Sequence, residues 1–462
     1  MKMKSVYCYM LAGLMLSASS CSSWLSEDDA PVMSYDYYET EAGVNAAITA
    51  AYGFLRWGVG GERFDVLTEL GTDLFTEGED GSNRESYNKY ATQLNPDDGI
   101  LYEMWENHYK GISDANIAMQ KIRDSQDLLE SVKIQSYAEM QFIRAYLYFD
   151  LVQQFGRIPL VTEGSFEIRT DFKRAPIADV YNVIISDLRN AAENLPEKAS
   201  VLGRATRYSA AHLLAKVYLT RGSAVKDARG QKATDMDSTL YYAEQVINSG
   251  AYALQENFSS LWDIKNQGNS EAVFAVQFTT EPMFNGDGNK QHLYWLSWYE
   301  DQPGMLRDIE NGRHVATKKT MDDLFDRLHD SRFYKSFKWV YYANNVSTLP
   351  VWESLSYDGN VYFTPDPSKG QIEGELKFQH GDTAIYYTMQ ETGLASNSDE
   401  MRKLRADYTY SYFPREMHSI RYFPSLVKYL DPSRPSVSEE KGSREWVRMR
   451  LGETYLLSLI HI

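Results

Sequence analysis

Apolar positions recur every three to five residues along most of the first 260 residues, the spacing that turns one stripe of a helix toward a core. Thr40 to Arg56 opens on a capping threonine and sets Val44, Ile48, Tyr52 and Leu55 on one side. Gly99 to Arg123 follows the turn Asn95-Pro96-Asp97-Asp98 and carries Leu101, Trp105, Tyr109, Ile112, Ile117 and Ile122. Val132 to Phe155 is apolar nearly all round, which predicts a helix enclosed by others; Gly156 ends it, with Pro159 beyond. Ile177 to Leu195, Tyr208 to Thr220 and Asp237 to Asn248 follow, stopped by Pro196, Gly222 and Gly250. Two of these helices echo each other. Arg144-Ala145-Tyr146-Leu147-Tyr148-Phe149 matches Leu214-Ala215-Lys216-Val217-Tyr218-Leu219, with the alanines 70 residues apart, about two tetratricopeptide periods. A third echo, Arg450 to Leu456, puts Gly452 in the alanine place.

After about residue 265 the pattern changes. Glu271 to Thr279 alternates and is rich in Val and Phe, which predicts a strand. Residues 281–430 are rich in aromatics, Gly, Asn and Asp, with one helix expected, Thr317 to Leu328, and helical character returning at Arg444. Long ordered loops of this kind carry function. The expected architecture is mainly α: a tetratricopeptide-like scaffold (40–280), an irregular, loop-rich binding subdomain with few short strands (281–430), and a return to helix (431–462).

The N-terminus is of another kind. Lys2 and Lys4 precede an uncharged, mostly apolar stretch to about Ala18, too short to span a bilayer, and Ala18-Ser19-Ser20-Cys21 closes it. Small residues ending in cysteine are similar to a bacterial lipoprotein processing site, with residues 1–20 as leader, Cys21 lipidated and 21–39 as tether; a plain secretory leader with a chance cysteine is the alternative. Glu27-Asp28-Asp29 favours export to the outer surface. The chain's other cysteine is Cys8, so the exported part has no disulfide, cysteine nucleophile or thiolate metal site. Net charge is −17, which disfavours nucleic acid as a partner.

Several segments in order resemble the SusD/RagB-like family of outer-membrane nutrient-binding lipoproteins: Ala138 to Glu163, Val180 to Pro196, Gly203 to Gly222, Tyr242 to Leu254, Glu271 to Phe278 and Val447 to Leu457. The resemblance implies a tetratricopeptide-like scaffold with a variable binding subdomain and a lipid anchor on the surface of a Bacteroidota-type cell. It also implies a TonB-dependent, SusC-like transporter as partner and a polysaccharide-utilisation role. The cargo it implies is an oligosaccharide, with peptide as the alternative. The family continues beyond Tyr455-Leu456-Leu457 with further helix. The expectation is therefore a C-terminally truncated chain whose last helix exposes Leu451, Tyr455 and Leu456, and Ser458 to Ile462 does not look like the family's continuation.

Carbohydrate recognition needs flat apolar faces for C–H surfaces and planar polar groups for hydroxyls. Aromatics reach 13% of this chain, with 9 Trp, 34 Tyr and 19 Phe. Two regions offer both kinds of group. The polar loop Glu69 to Tyr87 holds Asp73, Asn83 and Arg84, and the family's corresponding loop contributes to ligand contact. The run Tyr294 to Tyr299, followed by Glu300-Asp301-Gln302, holds Trp295, Trp298 and Tyr299. The three-residue spacing of the tryptophans equally fits one buried helix face, and the polar loop equally fits a solvated surface. The eight histidines are scattered, with no pair at ligand spacing, and Asn285 to Asn289 reads as a turn, so neither metal nor cofactor is expected. No nucleophile elbow or phosphate loop occurs, so the expectation is not an enzyme; a surface glycoside hydrolase is the remote alternative, and a helical adaptor that binds only protein is another.

Overall fold

The computed structural model describes residues 40–79, 84–91, 94–165, 170–225, 228–306 and 312–459. The proposed leader, Cys21 and the tether lie outside them, as does Asn83.

Long helices form first. Helix α1 (Glu41–Gly60) is capped by Thr40, whose hydroxyl accepts from the Gly43 amide. After α2 (Glu62–Thr68), β1 (Phe75–Glu77) and α3 (Glu85–Lys89) come α4 (Gly99–Asp124), capped by the Asp98 carboxylate, and α5 (Glu130–Phe155). Helices α6 (Ile177–Asn194), α7 (Arg207–Gly222) and α8 (Asp235–Ile247) complete the run. Thr206 and Ser209 close a capping box on α7. Consecutive helices pack on one another from α4 to α8. The largest core is theirs: Ile48, Ile112, Phe142, Leu151, Ile184 and Leu214 are all buried in it. The echoed alanines Ala145 and Ala215 are both fully buried, at helix contacts that a larger residue would wedge apart. α5 is enclosed as its pattern predicts, with every residue from Ala138 to Phe149 buried.

The chain then leaves the bundle. Strand β2 (Ala272–Val276) lies on the helical core and is followed by one-turn helices α9 (Pro282–Asn285) and α10 (Gln291–Tyr294) and by β3 (His314–Ala316). Next come α11 (Lys318–Asp322), α12 (Arg332–Ser336), β4 (Phe337–Lys338), β5 (Val340–Tyr342), β6 (Leu355–Tyr357) and β7 (Asn360–Phe363). Strand β8 (Thr383–Tyr387), α13 (Asp399–Asp407), β9 (Ser411–Phe413) and β10 (Ser425–Leu426) precede β11 (Trp446–Arg450) and α14 (Leu451–Ser458). The sheets are small. β8 is flanked antiparallel by β5 and parallel by β9, β1 pairs with β3 with Phe75 opposite Ala316, and β10 pairs with β4. Two aromatic cores serve this segment, one around Tyr299, Tyr341 and Tyr387, the other around Trp295, Phe333 and Tyr429. It is tied back to the scaffold where the Lys290 amide donates to the Gly60 carbonyl at 2.8 Å.

Four expectations are corrected. The helix expected over Thr317 to Leu328 stops after Asp322: Leu324 and Leu328 find no surface to cover, and the Asp326 carboxylate takes the Leu328 amide in a local turn. The helix expected from Arg444 begins only at Leu451, because 446–450 is β11, antiparallel to β2. Leu451, expected exposed, is buried in the main core, whereas Tyr455 and Leu456 are exposed. Helix α13 stands in the stretch read as irregular; only Met401 and Ala406 of it are buried, too few to set a period.

Candidate ligand-binding site

The site is built where four chain segments converge on the inserted part of the molecule. Past the end of β1 the Gly78 amide donates to the Arg313 carbonyl and the Glu79 amide to the Ile420 carbonyl. The Trp298 amide donates to the Arg421 carbonyl at 3.1 Å. These backbone bonds set the Arg421 guanidinium 4.4 Å from the centre of the Trp298 ring, a cation–π contact. The same guanidinium donates through Nη1 to Glu79 and through Nη2 to Asp301 Oδ2 at 3.0 Å, and the Tyr422 hydroxyl donates to that Oδ2 at 2.7 Å. Burial pulls the Arg421 pKa down, but the bonds to Asp301 and Glu79 outweigh it and hold the group well above its ordinary value. Burial and the bond to Asp301 together raise the Tyr422 phenol.

Trp298 is half-buried. Gly312 lies against its edge with φ +71°, and a Cβ there would sit 2.4 Å from the indole Cδ1 and Nε1, so this contact admits only glycine. The indole Nε1 is buried and has no hydrogen-bond partner among the described residues. Next along the chain from Gly312, Arg313 donates at 2.6 Å to the buried Glu62 carboxylate, which also accepts from Arg84 at 3.3 Å. An apolar cavity of roughly 160 Å³ is lined by Val315, Met321, His418, Ile420 and Phe423. Burial, then Arg415, lowers the His418 pKa to about 4, so this imidazole is uncharged at neutral pH.

The structure separates the residues singled out from sequence. Trp298 is at the convergence. Trp295 is only 1% exposed: its Nε1 donates to Gln291 and Asp65, and its ring stacks on Tyr429 with centroids 4.5 Å apart. Tyr299 is buried on Tyr341. Neither ring offers a face to a ligand, and both leave the site. The three-residue spacing does not put the two tryptophans on one helix face, because α10 ends at Tyr294. Asp73 stands at the other end of β1, exposed and paired with Lys319 at 2.9 Å. Arg84 donates to the Glu62 carboxylate at 3.3 Å. Arg421 and Tyr422 were not legible: Arg421 meets Asp301 across 120 residues and Glu79 across 342, so no local pattern marks it. Among the described residues, no three His, Cys, Asp or Glu gather as a metal site, and no helix is long and apolar enough to cross a membrane.

Sequentially packed helices carrying an inserted, aromatic-rich segment define a mainly α scaffold, and comparison with known proteins finds the same architecture. Residues 33–219 match the family described as "Starch-binding associating with outer membrane". SusD-like protein P25 of Formosa agariphila is 24% identical over 432 residues, covering 85% of this chain and 77% of that protein. A laminarin-binding SusD-like protein shares the fold with a TM-score of 0.61 at 21% identity, over 91% of this chain and 79% of that one. A SusD superfamily protein from Parabacteroides distasonis does so at 0.65 and 20%, over 90% and 74%. These matches together support the SusD-like family for this chain.

Proposed function

We propose that this protein captures an oligosaccharide at the outer membrane without altering it and passes it to a TonB-dependent, SusC-like transporter, held at the cell surface by a lipid on Cys21. The observation that carries the reading is the Trp298 crevice. A half-buried indole is fixed by Arg421 and Gly312, and two carboxylates and a phenol are set around it. An indole face suits the C–H side of a pyranose, and Glu79, Asp301 and Tyr422 can exchange hydrogen bonds with its hydroxyls. The named laminarin binding of the structural relative supports a glycan as cargo.

A shallow stacking site predicts dissociation constants from micromolar to millimolar, roughly −4 to −8 kcal/mol. Titration of the full chain with laminari-oligosaccharides in a calorimeter tests it. Trp298→Ala is expected to abolish binding with the helical circular dichroism intact; unchanged affinity removes Trp298 from the site. Delivery is tested by pull-down: a transporter barrel retained on the lipidated protein is expected, and its absence overturns the hand-over.

A further inference from the structure

A second cleft lies on the inserted segment, between β7, the chain entering β8, α13 and the stretch into β9. It encloses roughly 230 Å³. Its walls carry Tyr362, Phe378, Tyr408, Tyr410 and Tyr412. Tyr408 and Tyr412 stack with centroids 4.3 Å apart, and Tyr410 packs against Tyr408 and Tyr386. In a chain of net charge −17, its charged lining is Lys377, Arg402 and Arg405, with no acid.

Two of these cations, Arg405 and Lys377, are held without a carboxylate partner among the described residues. The Arg405 guanidinium donates through Nε to the Tyr412 carbonyl at 2.8 Å and lies 4.8 Å from the Phe413 ring centre; its other nitrogens make no hydrogen bond among the described residues. Lys377 donates to the Ala406 carbonyl at 3.2 Å and sits over Trp352. Neither is within ion-pair distance of a carboxylate among the described residues. Glu353 and Asp407 act on Lys377 only from further off, and Asp407 is already engaged by Lys369 and Gln371. Burial lowers the pKa of both cations. Arg402 lies 3.9 Å from the Tyr357 ring centre and pairs only with the exposed Asp399. Desolvated Lys377 and Arg405, without a paired carboxylate and braced on rings, form with Arg402 an anion site beside a stacking wall.

We propose that this cleft is a second saccharide site, selective for a sugar unit bearing a carboxylate or sulfate, which stacks on the tyrosine wall while Lys377, Arg402 and Arg405 receive its charge. The ligand class is taken from the capture reading; the site is separate from the Trp298 crevice.

The test titrates the full chain with oligogalacturonate and with its methyl ester, and in a second arm with a sulfated galactan oligosaccharide and its desulfated form. At least one charged probe is expected to bind roughly tenfold more tightly than its uncharged partner, and the arm that does so names the anion. That binding weakens with added salt, falls roughly tenfold in Tyr410→Ala and in Arg402→Ala, and survives excess laminari-oligosaccharide. Both substitutions are on half-exposed side chains; Arg405→Gln, more deeply seated, is read only if its circular dichroism is unchanged. Equal affinity for charged and uncharged partners in both arms, indifference to Tyr410→Ala and Arg402→Ala, displacement by the neutral glycan, or no binding of either charged probe each overturns the proposal. Loss of laminari-oligosaccharide binding in Trp298→Ala would leave the capture reading standing in any of those cases. Absence of all neutral binding would overturn that reading and leave this one to its own arms.

Discussion

The scaffold and the inserted segment are each braced by an arginine that gathers several acceptors, and the two hubs do different work. In the scaffold Arg144 of α5 is buried. Its Nε and Nη2 both donate at 2.8 Å to the Asp187 carboxylate of α6, and Nη1 donates to Asn116 of α4 and to the Thr162 carbonyl. The guanidinium fork is used up inside the bundle, where it locks three helices in register. In the insert Arg421 makes a similar set of bonds, but it and its partner Asp301 are about one-third exposed. What its fork leaves over is a surface: a tryptophan ring, two carboxylates and a phenol at fixed spacing. Burial decides whether the same chemistry holds a fold or presents a face.

The sharpest way to break that contrast is Asp187→Ala. It strands the buried Arg144 charge and is expected to cost about 3–5 kcal/mol of stability, read as a lower denaturant midpoint. Arg421→Ala is expected to cost no more than about 1 kcal/mol, because exposed ion pairs are screened, while glycan titration shows clear loss of affinity. Equal destabilisation by both variants would abolish the distinction.

Two pH effects sharpen it further. Burial raises the Glu453 carboxyl, but His212 and then Lys216 outweigh that and hold it at about 2. Glu453 belongs to α14, where Oε2 meets His212 of α7 at 3.1 Å and Oε1 accepts from Lys216 at 2.9 Å. A depressed carboxyl stabilises the fold above its unfolded pKa, and that contribution is lost as pH falls through about 2. Glu453→Gln is therefore expected to melt several degrees lower at pH 6, with the gap closing toward pH 2. A gap independent of pH would remove the charge from the account.

Asp65 of α2 has the opposite sign. Burial first, then Glu69, raises it to about 8, although it accepts from the Trp295 indole at 3.2 Å. A raised carboxyl binds its proton more tightly when folded, so its contribution falls as pH climbs from the ordinary carboxylate range to about 8. Asp65→Asn keeps an oxygen for the indole. It is expected to match the parent at pH 4 and to melt higher at pH 8.

What the sequence determined by itself was the bundle. The starts and ends of α1 and α4 to α8 fall within a few residues of their predicted places, because period, cap and glycine or proline stop are properties of neighbouring residues. The enclosure of α5 was legible for the same reason. The site was only half legible. The run from Tyr294 to Asp301 was marked by its aromatics and acids, but which ring is usable depends on partners far along the chain. Trp295 is taken by Tyr429 and Asp65, while Trp298 is left at the surface on Arg421. Strand β11 follows the same rule: 446–450 reads as helix by itself and becomes strand because β2 offers it an edge. Local energies settle within a helical turn, whereas pairings across 120 or 342 residues exist only once the chain has closed on itself.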